Sequence, residues 1–289
     1  MTFPQINYIK CKRGFRYYKM SYLAWGNQEN CSKTLLCVHG LNRNCRDFDY
    51  VGKFFAANGY YVVAPDIVGR GNSDYLVNPS GYDIPFYIND VLGLIKALDL
   101  KNIDYIGTSM GGIIGMSIAA LPYSPIRKLI LNDVGASIDA AGLERIARYS
   151  VKEPVFDSYS ELKNYLMEIS ADFGNLPDEV WEFFIRTSSQ KNDNGKYILK
   201  RDARLSRPFN KSFQKFGNID LWHIWNNVKL PTLVLHGEKS DILNVKTIEK
   251  MMETNSLLSH FVVANAGHAP YLYSEDLFHL ILGFLGNNL

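Results

Sequence analysis

Short apolar runs that alternate with segments of helical spacing constrain the fold of this 289-residue chain more than any other feature. The runs are rich in β-branched and aromatic residues, and neither of their faces is polar. They occupy residues 34–38, 60–64, 103–106, 128–131, 232–235 and 261–263. Strands of this kind are typical of buried parallel sheets. The alternation predicts an α/β fold with helices on both faces of a mostly parallel sheet.

The alternation stops between residues 135 and 219, where only helix-like pieces and loops occur. Ser158 and Glu161 have the spacing of a capping box, and Pro177 precedes two acidic residues at another predicted helix start. We therefore predict a core of residues 1–134 and 220–289 and a helical insertion of residues 135–219 after the sixth strand. The tyrosine-rich residues 15–25 predict an antiparallel strand or hairpin at the sheet edge.

Charge and cysteine content exclude several classes of function. The 31 basic and 29 acidic residues give a formal charge of +2, which argues against nucleic acid or an anionic membrane as partner and favours a small-molecule substrate. The four cysteines form no CxxC pair and no cluster with histidines, so no metal site is predicted. No signal peptide or membrane-span pattern occurs, and we expect a cytoplasmic protein. No pattern indicates an oligomeric state.

The sequence G-T-S-M-G at residues 107–111 matches the G-x-S-x-G pattern. It follows the apolar run 103–106 directly and precedes a helical segment that starts near residue 112. A sharp turn between strand and helix strains the backbone of the central serine, and the flanking glycines leave room for the helix to approach the sheet. The pattern therefore predicts that Ser109 is an exposed nucleophile.

Two further stretches agree with this motif. His39-Gly40-Leu41 follows an early predicted strand, and residues 66–74 match a D-x-x-G-x-G-x-S loop. With these motifs, nearly the whole chain resembles the α/β-hydrolase family. The resemblance implies the α/β-hydrolase fold, with residues 135–219 as a helical cap, or lid, over the nucleophile.

The resemblance also implies roles for backbone groups and loop residues. The N–H groups of Leu41 and Met110 would form an oxyanion hole, which stabilises the negative charge of a tetrahedral intermediate. His39 would hold its loop and would not be the catalytic base. Asp66 and Arg70 would hold their loop, with a part in catalysis as the lesser alternative.

The chain order of the family, serine then acid then histidine, implies the other members of a catalytic triad. His268 lies in the N-A-G-H-A-P stretch after the last predicted strand and is the expected general base. Asp241 lies at the family's usual distance after the preceding strand and is the favoured acid. Glu238 is a nearer alternative, and Asp133 is another because some relatives take their acid from the end of the previous strand. The resemblance thus implies a triad of Ser109, Asp241 and His268, with Asp133 left open.

The resemblance implies hydrolysis through an acyl-enzyme without a metal or organic cofactor. A serine at the nucleophile position argues against the dehalogenase and epoxide-hydrolase branches. Relatives that cleave carbon–carbon bonds commonly place tryptophan after the catalytic histidine, whereas this chain has Ala269. We predict a carboxylic-ester hydrolase for small or medium acyl groups. Lactone, carbon–carbon or aminopeptidase hydrolysis on the same triad, and a receptor without catalysis, are the alternatives.

Three residues are candidates for substrate binding. Arg43 lies two residues beyond Leu41 and would meet an anionic group of a substrate, although an ordinary ion pair is the simpler interpretation. The aromatic side chains of residues 135–219, with Trp181 and Phe184 among them, are candidates to line an acyl pocket. The alternative is that they pack the cap helices against the core.

Overall fold

The computed structural model describes residues 4–205 and 218–286. Its strands are β1 Ile6–Arg13, β2 Arg16–Trp25, β3 Lys33–Val38, β4 Tyr60–Pro65, β5 Ile103–Thr108, β6 Ile126–Asn132, β7 Ser137–Ile138, β8 Val155–Phe156, β9 Ser189–Lys191, β10 Tyr197–Leu199, β11 Ile219–Asp220, β12 Thr232–Gly237 and β13 Leu258–Val263. Eight of them form one sheet in the order β1-β2-β4-β3-β5-β6-β12-β13.

The sheet is parallel except at one edge. The strands β3, β4, β5, β6, β12 and β13 pair in parallel, whereas β1 and β2 form an antiparallel hairpin that joins the sheet through β4. Each predicted run lies within one of the parallel strands, and the predicted edge segment lies in β2. The predictions of a mostly parallel sheet and of an edge hairpin are confirmed.

The α-helices are α1 Asp49–Ala57, α2 Ile84–Ala97, α3 Met110–Ala119, α4 Ala140–Ser150, α5 Tyr159–Ile169, α6 Asp178–Ser188, α7 Trp222–Trp225, α8 Val245–Thr254 and α9 Glu275–Gly286. Helices α2, α3 and α8 pack on one face of the sheet, and α1 and α9 pack on the other. Successive residues of a strand face opposite sides, so Leu36 and Val38 of β3 contact the first layer and Leu35 and Cys37 the second. Both faces are therefore apolar. No helix within the described ranges is long and apolar enough to cross a membrane.

Residues 135–219, which we call the cap segment, lie between β6 and β12. This segment carries α4, α5 and α6, and a small antiparallel sheet in the order β8-β10-β9. Helix α5 begins as expected, because the Ser158 hydroxyl accepts from the Glu161 N–H at 3.2 Å. The Glu161 carboxylate in turn accepts from the N–H of Asp157, the residue before the N-cap Ser158. The short strands were not predicted, because two or three residues show no periodicity.

The cap segment contacts the core in two ways. Leu143 and Ile146 of α4 belong to the same apolar cluster as α2, α3 and the sheet. In addition, Arg70 and Arg201 form an antiparallel backbone bridge, with hydrogen bonds of 2.9 and 2.8 Å between residues 69–71 and 200–202. A separate cluster, which we call the outer cap cluster, contains Phe156, Leu162, Leu166, Val180, Trp181, Phe184, Ile185 and Tyr271.

Candidate active site

Ser109 occupies a sharp turn between β5 and α3. Its backbone angles, φ 52° and ψ −115°, lie in a region that residues other than glycine rarely adopt. A methyl group on Gly111 would lie 1.9 Å from the carbonyl oxygen of Val38, and one on Gly107 would lie 2.4 Å from Gly111. The two glycines of the motif are therefore required by the close approach of the helix to the sheet.

His268 meets Ser109 from the loop after β13. Its Nε2 lies 2.8 Å from the Ser109 hydroxyl, and its Nδ1 lies 2.7 Å from a carboxylate oxygen of Asp133. An ionised carboxylate only accepts hydrogen bonds, so Nδ1 carries the proton and Nε2 is left to accept from the hydroxyl. The arrangement can take a proton from Ser109, which is what a nucleophilic serine requires.

Asp133 follows β6 directly and is fully buried. Its backbone has a φ of 54°, which turns the carboxylate toward the neighbouring strand β12. The carboxylate accepts from the Gly237 N–H at 2.8 Å and from the Ser240 hydroxyl at 2.6 Å. These two donors hold one orientation of the carboxylate and stabilise its charge in a buried position.

The expectation that Asp241 contacts His268 is wrong in this structure. Its carboxylate receives two hydrogen bonds from Arg145 of α4, at 2.7 and 2.8 Å, and this guanidinium holds the pKa of Asp241 below its usual value. The physical reason is the direction of the loop after β12. Ser240 points inward to Asp133, so Asp241 points outward to the cap segment and is about one-third exposed, at 36%. Glu238, the nearer alternative, accepts from the N–H of Asn265 instead.

The residues expected to form an oxyanion hole lie beside Ser109. Within residues 4–205 and 218–286, no protein acceptor receives the N–H of Leu41 or of Met110. Arg70 holds both residues: its Nε donates to the Leu41 carbonyl at 2.9 Å, and another guanidinium nitrogen lies 3.6 Å from the Met110 sulfur. The two N–H groups remain available for an oxygen anion.

His39 and Asp66 hold the surrounding loops, as expected from the sequence. His39 is buried, and its Nε2 accepts from the Ile67 N–H at 3.0 Å. Burial lowers the pKa of His39 to about 4, so the ring is neutral near pH 7. The Asp66 carboxylate accepts from the Ser21 hydroxyl and from the N–H groups of Cys45 and Asn72, at 2.7, 2.8 and 2.9 Å.

Two cavities of different chemistry meet at Ser109. The one that we call the polar cavity has a volume of about 90 Å³ and is the more polar of the two, although most of its surface is apolar. Its charged and polar lining residues include Arg43, Asp47, Ser188, Arg201 and His268. The one that we call the apolar cavity has a volume of about 220 Å³, and its distinguishing residues include Met110, Ile113, Leu143, Leu221, Ile224 and Ile242. Leu41, Ser109 and Ile146 line both. An ester carbonyl at Ser109 could therefore place one side in each cavity.

The three candidate substrate-binding residues take the ion-pair and packing roles that were given as the alternatives. Arg43 lines the polar cavity, but its guanidinium is bound to the Asp47 carboxylate and donates to the Ser188 hydroxyl at 2.8 Å. Trp181 and Phe184 line neither cavity; they pack inside the outer cap cluster, and the Arg43 guanidinium lies 4.0 Å from the Phe184 ring centre. Their large aromatic surface is buried by cap packing, the alternative weighed above.

No sequence pattern marks three residues that line the site, Arg201, Tyr149 and Ile146. They belong to the cap segment, where no motif marks a position and only the tertiary structure brings side chains to Ser109. In the part of the chain that the structure describes, no three His, Cys, Asp or Glu side chains are grouped to hold a metal ion.

Known proteins and solved structures include chains that are similar to this one over most of its length. A family model described as the alpha/beta hydrolase fold matches residues 33–275. A 3-hydroxybutyrate-oligomer hydrolase of Cupriavidus necator is 37% identical over 273 residues, which are 92% of this chain and 92% of that protein.

Solved structures agree with this family match. A Rickettsia typhi protein superposes with a TM-score of 0.90 and 36% identity, over 97% of this chain and 98% of that one. An alpha/beta hydrolase of Novosphingobium aromaticivorans superposes with a TM-score of 0.86 and 28% identity, over 99% of each chain.

Proposed function

The chain belongs to the α/β-hydrolase family, and from that premise we propose that it hydrolyses carboxylic esters of short hydroxy acids, with Ser109 as nucleophile and His268 as general base. Asp133, and not Asp241, is the acid of the triad. The single observation that carries this proposal is the continuous hydrogen-bonded series from Asp133 through His268 to Ser109, at 2.7 and 2.8 Å.

The proposed reaction proceeds in two steps. Ser109 attacks the ester carbonyl carbon while its proton moves to Nε2 of His268, and the carbonyl oxygen becomes an anion. His268 then gives that proton to the departing alcohol, and the acyl group remains bound to Ser109. Water attacks the acyl-enzyme with His268 again as base, which releases the acid and restores the serine. Throughout, Asp133 holds the imidazole and stabilises its charged form.

The N–H groups of Leu41 and Met110 would receive the oxygen anion of the tetrahedral intermediate. Their lack of a protein acceptor among the described residues supports this role. The cap segment would act as a lid, because α4 supplies Leu143 and Ile146 to the cavities beside Ser109. Closing the site from water would strengthen the electrostatic interactions inside it.

The substrate class rests on the relative and on the cavities together. The Cupriavidus necator relative acts, by its name, on oligomers of 3-hydroxybutyrate, and it is matched over nearly its whole length. An oligomer of a short hydroxy acid has small groups on both sides of each ester bond. Cavities of about 90 and 220 Å³ on the two sides of Ser109 suit such groups better than a long acyl chain.

A substrate panel tests the proposal. We expect measurable turnover of 3-hydroxybutyrate dimers and trimers and of p-nitrophenyl butyrate, and much weaker turnover of p-nitrophenyl palmitate. An organophosphonate should label Ser109 of the wild-type protein, and the folded Ser109→Ala variant should show neither labelling nor turnover. Turnover of a ring-fission product or of an aminoacyl amide, with no ester hydrolysed, would replace the proposal by one of the other triad reactions.

A further inference from the structure

The polar cavity contains a buried cation without a carboxylate partner. We propose that Arg201 binds the free carboxylate of an ester whose alcohol portion is a hydroxy acid, so that the enzyme releases the carboxyl-terminal unit of a hydroxy-acid oligomer. This inference deepens the proposed function and rests on it. The alcohol portion of the substrate would lie in the polar cavity with Arg201, and the acyl portion would lie in the apolar cavity.

The position of His268 assigns the leaving alcohol to the polar cavity. In the proposed reaction His268 donates its proton to the departing oxygen, so the alcohol portion must lie on the imidazole side of Ser109. His268 lines the polar cavity and does not line the apolar one. The acyl group then occupies the apolar cavity, beside Met110 and Ile113.

The hydrogen bonds of Arg201 fix its guanidinium without neutralising it. Its two terminal nitrogens donate to the backbone carbonyls of Tyr149, Ser150 and Lys152 at the end of α4, at 3.0 to 3.3 Å. These three bonds use three of the five guanidinium N–H groups, and Nε donates to no acceptor in the described ranges. Arg201 is only 8% exposed, yet it lines the polar cavity.

The charges around the cavity leave a positive excess. Its lining contains the cations Arg43, Lys200 and Arg201 and one carboxylate, Asp47, which is bound to Arg43. The neighbouring carboxylate of Asp202 is occupied by Arg204 and the Tyr82 hydroxyl. Arg201 has no salt bridge with any described carboxylate. An unpaired buried cation is costly unless hydrogen bonds and an anion stabilise it, and a bound carboxylate would supply the anion.

Further polar groups of the same cavity have unused hydrogen-bonding capacity. The Tyr271 hydroxyl is buried and has no partner among the described residues, and the same is true of the Asn42 carbonyl oxygen. Both residues line the polar cavity, and Tyr271 is 6% exposed. A carboxylate on the alcohol portion would accept from the Tyr271 hydroxyl, whereas an alkyl alcohol would offer that hydroxyl no partner.

Paired substrates that differ only in charge test the inference. The first is the dimer of 3-hydroxybutyrate with its free carboxylate, and the second is the same dimer with a neutral terminal carboxamide. We expect wild-type kcat/KM to be about 10- to 100-fold higher for the acid, because a charge-assisted hydrogen bond is lost with the amide. Arg201→Gln should remove this preference mainly through KM, and Arg201→Lys should retain part of it.

Arg43→Gln provides the matched control, since Arg43 lines the same cavity but its charge is already paired with Asp47. Because this variant also leaves Asp47 unpaired in the cavity, it should weaken the preference for the acid, but by a smaller factor than Arg201→Gln does. Loss of the preference in this variant and not in Arg201→Gln would overturn the assignment.

The wild-type protein alone can refute the inference if Arg201→Gln does not fold. Equal kcat/KM for acid and amide would refute the inference. So would equal inhibition of p-nitrophenyl butyrate hydrolysis by 3-hydroxybutyrate and by its amide, where we expect the acid to inhibit more strongly. Failure of the proposed function is distinct, because it would appear as absence of turnover for every ester, charged or neutral.

Discussion

At the scale of single residues, the carboxylate beside His268 comes from β6 although the loop after β12 supports it. Gly237 and Ser240 of that loop donate to Asp133, so the segment expected to supply the acid instead holds one from the neighbouring strand. Asp133 and Asp241 both follow the carboxyl ends of adjacent strands, and their order in the sequence is compatible with either role. The Ser240 side chain, which points inward and donates to Asp133, distinguishes them. No sequence pattern indicates the orientation of that side chain.

Substitution of the two aspartates should therefore have unequal effects. Asp133→Asn should lower kcat by about 10³- to 10⁴-fold, because the amide can donate to Nδ1 and favours the wrong imidazole tautomer. Asp241→Asn is the matched control and should lower kcat by less than about tenfold, since exposed ion pairs contribute little. Hydrolysis of p-nitrophenyl butyrate by variants with unchanged circular dichroism measures both. A larger loss for Asp241→Asn would contradict the assignment.

A second prediction at this scale concerns pH and His39. Burial lowers the pKa of the His39 imidazole to about 4 in the folded protein, whereas the ordinary value in the unfolded chain is 6.5. The contribution of neutral His39 to the free energy of unfolding is therefore complete above pH 6.5. It is lost as the pH falls from 6.5 toward 4, and the full loss is about 3 kcal/mol. Urea unfolding of the wild type and of His39→Gln should show this, because glutamine can accept from Ile67 without titrating. The two free energies of unfolding should converge on acidification; a constant difference would exclude His39 as the cause.

At the scale of helices and strands, two glycines inside helices differ in the space that surrounds them. Gly115 of α3 faces Tyr105 of β5, and an added methyl group would lie 2.2 Å from the tyrosine ring. Gly93 of α2 has no atom within 4 Å of such a group. Helix α3 therefore needs its glycine for packing, whereas α2 only loses helix propensity by having one.

Two alanine substitutions test this difference by urea unfolding. Gly115→Ala should lower the free energy of unfolding by about 1–3 kcal/mol through overpacking. Gly93→Ala should raise it by about 0.5–1 kcal/mol, because alanine loses less backbone entropy in a helix. If both variants were stabilised, the contact between α3 and β5 would be looser than the structure indicates.

The sequence allowed good prediction of the parallel strands of the sheet, most of which are buried on both faces. The six parallel strands were placed within three residues at each end, because each contains a continuous apolar run of strand-forming residues. The strands β8, β9 and β10 could not be predicted, since each is only two or three residues long and exists through its partners. Likewise, nothing in the sequence indicates that Arg201 lines a cavity at Ser109.

At the scale of the whole molecule, the cap segment is not uniformly joined to the core. Helix α4 contributes Leu143 and Ile146 to the main apolar cluster, whereas α5 and α6 pack mostly within the outer cap cluster. Fewer apolar contacts with the sheet should allow α5 and α6 to open without unfolding of the core.

Native-state hydrogen exchange tests this division. Amides of α5 and α6 should exchange through a partial opening of lower free energy than global unfolding, and amides of β5 and β6 should exchange only on global unfolding. Helix α4 is the internal control, since it lies in the same segment but should be protected as strongly as the strands. Equal protection of α4, α5 and α6 would indicate that the cap segment opens as one unit.

The meeting of two unlike cavities at Ser109 has a consequence for any substrate built from repeated units. A head-to-tail polyester has two distinguishable termini, and an apolar lobe on one side of the scissile bond with a cationic lobe on the other would accept it in a single direction. We expect such a protein to shorten its polymer from the acidic terminus, one monomer at a time, and to act poorly on rings, which have no terminus.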